Sequence, residues 1–162
     1  MDEKVIQKPN ENNLKKLFGP TILQNSQTFQ PLDTQNLNPD SLTLVYFSAY
    51  WSVPCRAFTQ LLEKFYKEIN LTSKMVDVIF VSLDHNKTIF EGYFKTMDWM
   101  ALPYESQDEK SSLMKTFQIS GVPNLCLINS SGMLLSNKCR DDLNNNKNNF
   151  LNCIEAWKSK ME

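Results

Sequence analysis

A strand–helix–strand unit is the feature that most constrains the fold of this chain. Leu42-Thr43-Leu44-Val45-Tyr46-Phe47-Ser48 and Met75-Val76-Asp77-Val78-Ile79-Phe80-Val81-Ser82-Leu83 are compact runs of β-formers. Runs of that length and apolar continuity read as strands buried on both faces. Between them Phe58, Leu61, Leu62, Phe65, Tyr66 and Ile69 recur at helical spacing and form one apolar stripe. Two buried strands joined through a helix imply a parallel pair within an α/β domain.

The flanking segments extend this unit. Residues 1–13 are polar and rich in Asn, Lys and Glu, and read as a tail, leaving a domain over 14–162. Residues 14–40 carry short apolar islands (Leu17-Phe18, Ile22-Leu23, Phe29) broken by Gly19-Pro20, Pro31 and Pro39, which predicts an irregular entry with one hairpin. Thr88-x-x-Glu91 reads as a capping box opening a helix that bears Ile89, Phe90, Tyr93, Phe94 and Met97. A short helix is expected over 109–117, a third strand over Asn124 to Asn129, and a turn at Ser130-Ser131-Gly132 into Met133-Leu134-Leu135. Asn144 to Asn149 is a polar interruption before a final helix of about 148–160, with Phe150, Cys153, Ile154 and Trp157 on one face. The order predicts a mixed central β-sheet with helices on both faces.

Composition removes several function classes. Seventeen basic and 18 acidic residues are intermixed to a formal charge of −1. No basic stripe is present, so no nucleic-acid partner is expected. No apolar run approaches the roughly 18 residues of a membrane span. The start, Met1-Asp2-Glu3-Lys4, resembles neither a secretory signal nor a transit peptide, so a cytoplasmic protein is expected. Cys55, Cys126, Cys139 and Cys153 are widely spaced and there is one histidine, His85. That pattern favours neither a zinc site nor a disulfide framework, and no metal or cofactor is expected.

One run is specific. Val45-Tyr46-Phe47-Ser48-Ala49-Tyr50-Trp51-Ser52-Val53-Pro54-Cys55-Arg56-Ala57-Phe58-Thr59 resembles the active-site strand and helix of the tryparedoxin and nucleoredoxin branch of the thioredoxin superfamily. Members of that branch read Y-F-S-A-x-W-C-P-P-C-R-x-F-T. Val81-Ser82-Leu83-Asp84 is similar to the branch's V-S-x-D strand end, and Trp99 to Tyr104 to its W-x-A-L-P-[FY] segment. Phe117 to Pro123 resembles the approach to its cis-proline loop. The resemblance covers about residues 14–140 and implies a thioredoxin fold. It further implies that Pro123 follows a cis bond and faces Trp51 and Cys55, that Trp51, Pro54, Val122 and Pro123 line a substrate groove, and that Cys55 is the buried, resolving cysteine. Tyr46 matches the tyrosine of this branch.

The chain departs from the pattern where the chemistry begins. Dithiol exchange needs a first thiol at a helix N-terminus, attacking as thiolate, and a second, three positions on, to resolve the mixed disulfide. Here the first position is Ser52, whose hydroxyl is far less acidic than a thiol. Serine catalysis needs an adjacent base, and His85 sits at the end of another strand with no G-x-S-x-G elbow in the chain. Ser52 is instead expected to cap a helix starting near Val53, with Pro54 tolerated in the first turn. Cys55 is a small buried helix residue or a residual thiol able to form a mixed disulfide. Cys126 and Cys153 are expected in the core, and Cys139, in a polar turn, as a possible exposed thiol. Arg56 is expected to be solvated beside the site, with partner binding as the alternative; Trp51 and Trp99 form an apolar platform there or pack as core and rim.

Three functions fit: a redox-inactive binding or structural module with protein partners, in a larger assembly such as a cytoskeletal or ciliary one; a thiol-disulfide oxidoreductase in which Ser52 is an engineered replacement of cysteine; and a monothiol activity through Cys55. The first is favoured.

Overall fold

The computed structural model describes residues 12–161. Residues 1–11 of the expected tail lie outside the described residues. Asn12 and Asn13 open a helix instead, α1 (Asn12–Phe18). The entry then makes the expected hairpin, β1 (Thr21–Leu23) with β2 (Pro31–Asp33), antiparallel with Ile22 opposite Leu32.

The predicted unit follows as β3 (Leu42–Ser48), α2 (Val53–Ile69) and β4 (Val76–Ser82). β3 and β4 pair in parallel over their whole length, from Leu42 opposite Val76 to Ser48 opposite Ser82. Every residue of both strands is buried. α3 (Lys87–Phe94) leads to β5 (Met100–Ala101), a two-residue strand parallel to β4. α4 (Gln107–Thr116), β6 (Asn124–Ile128) and β7 (Leu134–Ser136) come next, with β6 antiparallel to β3. The chain ends in α5 (Cys139–Asn145) and α6 (Leu151–Lys160). The seven strands form one mixed sheet ordered β2-β1-β5-β4-β3-β6-β7.

Alternation along the strands divides the core in two. Leu44, Tyr46, Val78 and Phe80 face α2, α3 and α6, where they meet Leu62, Phe65, Phe94 and Trp157. Val45, Phe47, Ile79 and Val81 face the other way, toward Phe18 of α1, Leu113 of α4 and Phe117. Helices therefore cover both faces, as the buried strands require. Phe65 is fully buried, with Phe150 and Trp157 edge-on at 5.3 and 5.6 Å between centroids.

Three local expectations change. The cap of α3 is Asn86, whose side chain accepts the Ile89 N–H at 2.8 Å, so Thr88 lies inside the helix. Asn caps as well as Ser or Thr, and starting earlier adds half a turn. Part of the polar region before the last helix is itself helical, α5, because Cys139 and Leu143 find places in the core. The last helix begins at Leu151, after Phe150.

The turn between β6 and β7 holds as read. The Asn129 side chain accepts N–H groups of Ser131 and Met133, and Gly132 adopts φ +87°. A Cβ at Gly132 would fall 2.7 Å from Leu17 Cδ1 on α1. Gly132→Ala is expected to cost about 1 kcal/mol or more, from the left-handed backbone and the displaced leucine, read as a lower urea midpoint at unchanged m-value.

Candidate functional site

The site is assembled at the C-terminal end of β3, where the chain leaves the sheet and turns into α2. Ser52 is the N-cap: its Oγ accepts the Cys55 N–H at 3.3 Å, and its carbonyl accepts the Arg56 N–H at 3.1 Å. Pro54 lacks an N–H, so the first amide the cap can satisfy is that of Cys55. The expected capping role of Ser52 is thus what the geometry shows, and its side chain is bound to the helix end rather than to a base.

The loop leading in is tied to the neighbouring strand. Asp84, just beyond β4 and 3% exposed, accepts the Tyr50 N–H at 2.8 Å and the Ser82 hydroxyl at 2.8 Å. Trp51 Nε1 donates to the Leu83 carbonyl at 3.4 Å, and the indole stacks on His85 with 6.1 Å between centroids and 8° between planes. His85 therefore reaches the site as a stacking partner of Trp51, and Ser52 Oγ has its partner in the helix. Tyr50, Trp51 and Val53 are all exposed, at 49, 55 and 66%.

Beneath this loop, Cys55 is fully buried. Its carbonyl lies 2.9 Å from Thr59 Oγ1 and 3.2 Å from the Tyr46 hydroxyl. Thr59 Oγ1 is 2.7 Å from Tyr46 Oη and 2.6 Å from Tyr93 Oη, and Tyr93 is 2.9 Å from Ser48 Oγ. The proton arrangement that satisfies every group has Thr59 donating to the Cys55 carbonyl and accepting from both tyrosines, while Ser48 donates to Tyr93. Burial drives both phenols above their ordinary range: first by desolvation, then for Tyr46 by the nearby Tyr93. Both stay neutral donors. The network braces β3, α2 and α3 behind the cysteine.

Just before β6, whose Asn124 pairs with Phe47 near the end of β3, the Val122–Pro123 peptide is cis, as the resemblance implied. Pro123 is buried and Val122 half-buried, and the Pro123 carbonyl accepts from Arg140 Nη1 of α5 at 3.3 Å. Pro54 is exposed on the first turn of α2. Arg56 is exposed as expected, its guanidinium over the Tyr50 ring at 5.1 Å.

Of the two readings open for Trp99 the core one holds, and the exposed-thiol reading of Cys139 fails. Trp99 is 2% exposed and packs edge-on to Tyr46 and Tyr66, so it belongs to the core and shares no platform with the exposed Trp51. Cys139 is fully buried, because α5 turns it inward, and burial raises its thiol well above the ordinary range. Cys126 and Cys153 are core residues as read, pushed by burial up to about 12 and about 11. All four cysteines are free and buried. Sequence reasoning missed Asp84, Thr59 and Tyr93 as site-builders; the one available signal was the polar V-S-x-D end of a strand parallel to the one that carries the site. Among the described residues no group of three His, Cys, Asp or Glu side chains is placed to hold a metal ion. Nor is any described helix long and apolar enough to cross a membrane.

Comparison with known proteins agrees with this geometry. A thioredoxin-like family profile matches residues 40–134. The chain is 33% identical to nucleoredoxin of Xenopus laevis over 124 residues, which is 76% of this chain but 29% of that protein. It is 37% identical to tryparedoxin of Trypanosoma brucei brucei over 97 residues, 59% of this chain and 67% of that protein. The solved structure of a tryparedoxin from Trypanosoma brucei superposes with a TM-score of 0.74 at 31% identity, covering 82% of this chain and 91% of the other.

Two measurements check the site. Ser52→Ala and Tyr46→Phe are each expected to lower stability by about 1 kcal/mol, through a lost helix cap and an unsatisfied hydroxyl network, in chemical denaturation. A thiol-specific dye at neutral pH is expected to leave all four cysteines of the native protein unmodified and to label all four once it is unfolded.

Proposed function

The chain belongs to the thioredoxin-like family, in its tryparedoxin and nucleoredoxin branch, and we propose that within it this protein is a protein-binding module without redox turnover. The observation that carries this reading is the Ser52 Oγ at 3.3 Å from the Cys55 amide, occupying as a helix cap the position where the branch holds its attacking sulfur. Among the described residues no base is hydrogen-bonded to that hydroxyl, and a helix N-terminus stabilises a charge without bringing so weak an acid into the neutral range. Cys55 is left as a single buried thiol, and exchange through one sulfur has no partner to resolve the mixed disulfide.

The frame around the missing sulfur supports binding. Tyr50, Trp51 and Val53, at the end of the loop and the first position of α2, are three exposed apolar residues within four positions, while single exposed apolar residues are the norm elsewhere on protein surfaces. Asp84, the hydroxyl network and Arg140 hold that loop and the Pro123 loop in place, which limits the ordering cost of a docking partner. The partners are proteins.

Reduction of insulin disulfides, and of glutathione disulfide, by the unmodified chain beside its Ser52→Cys variant tests the reading. No turnover is expected from the chain as it stands. Activity appearing only with the cysteine would show that the rest of the site survives intact. Turnover by the unmodified chain at a rate matching the cysteine variant would overturn the proposal.

A further inference from the structure

Beside Tyr50 of the exposed loop, a groove runs between α2 and α3. Its cavity is about 270 Å³ and is lined by Tyr50, Arg56, Thr59, Gln60, Glu63, Tyr93 and Thr96. Four of these, Arg56, Thr59, Gln60 and Glu63, recur at i, i+3, i+4 and i+7, so one stripe of α2 forms a wall. Tyr93 and Thr96 form the other, and the buried hydroxyls of Thr59 and Tyr93 form a floor that is already hydrogen-bonded.

The charges at the two ends of that wall are unspent. Among the described residues Arg56 has no ion pair; its guanidinium rests only on the Tyr50 ring. Glu63 has none either. The lysine one turn on, Lys67, is shared with Asp98 at 3.7 Å; its attraction for Glu63 is outweighed by burial and then by the Asp98 charge, which together raise Glu63 above the ordinary carboxylate range. Gln60, between them, makes no side-chain hydrogen bond among the described residues. One end of the groove thus calls for an anion, the other for a cation. The two stand about 10 Å apart along the axis at helical rise. In a polyproline-II segment, with three residues per turn and a rise of about 3.1 Å per residue, side chains three positions apart lie on one face about 9 Å from each other.

We infer that this groove docks a polyproline-II segment of a protein partner that carries an acidic residue for Arg56 and, three positions away on the same face, a basic residue for Glu63. The inference rests on the binding-module reading and names the chemistry of one partner segment. A single acid or a single base satisfies only one end, and adjacent opposite charges do not span the wall. Because each contact is a charge pair in a half-open groove, the contribution is to register and orientation more than to raw affinity.

The test uses the full chain, isotope-labelled, and three capped peptides: Asp-Ala-Ala-Lys, Asp-Lys and Asn-Ala-Ala-Gln. Saturable amide shifts at residues 56–63 and 93–96 are expected with the first, and binding about fivefold or more weaker with the other two. Arg56→Glu and Glu63→Lys are each expected to weaken the first peptide by about fivefold, while the double reversal restores it, since the peptide then lies the other way round. A merely structural role for either side chain gives no such restoration. No saturable shift up to about 10 mM, equal binding of all three peptides, or failure of the double reversal to restore binding would overturn the inference. Shifts confined to residues 50–53 and 121–123 would overturn it too, while leaving the binding-module reading in place. Insulin reduction by the unmodified chain bears on that reading alone.

Discussion

The parallel pairing of β3 with β4 is the constraint on which the rest of the structure depends. Its register sets Ser48 beside Ser82, the last paired residues of both strands. Only then do the exits from the two strands run side by side, bringing Tyr50 N–H within 2.8 Å of Asp84 and Trp51 against Leu83 and His85. A slip of one residue would send Tyr46 to the opposite face and break its contact with Thr59 and the Cys55 carbonyl. Burial on both faces makes such a slip prohibitive, because every apolar residue of the strand would change layers with it.

The polar groups near Cys55 show how an apolar layer accommodates hydroxyls. Tyr46, Thr59, Tyr93 and Ser48 come from β3, α2 and α3, and each finds its partner in another of the four. Left unpaired, any of them would cost about 1–3 kcal/mol. Paired, they hold three elements in a fixed relation directly behind the helix start. The rigidity of the frame thus does not depend on the sulfur that is missing from it; Ser52 satisfies the one amide that the cap must reach.

How much was legible follows from the range of each interaction. The β3–α2–β4 unit, the α2 stripe, the Ser52 cap and the Ser130–Gly132 turn are written in contiguous residues, and all four were readable. β5 was not, since two residues carry no periodicity and its pairing to β4 and β1 is a matter of neighbours. Cys139 sits among polar residues, yet α5 rotates it and Leu143 into the core, so local polarity misled. Trp51 and Trp99 look alike as sequence; one is exposed on a loop and the other enclosed by Tyr46 and Tyr66. His85, set aside as a base, became visible as a stacking partner only once two strand ends met.

By itself, then, the sequence determined the α/β class, the family frame and the absence of a first cysteine, because those are properties of residue order and residue chemistry. It determined too that Ser52 would cap, since a cap needs only its own helix. The tertiary structure decided what surrounds the capped helix: the hydroxyl network, the Asp84 tether, the Arg140 hold on Pro123, and the groove with Arg56 and Glu63 at its ends. Each of these joins residues from different elements, and their meeting is set by sheet order and helix packing rather than by any local preference.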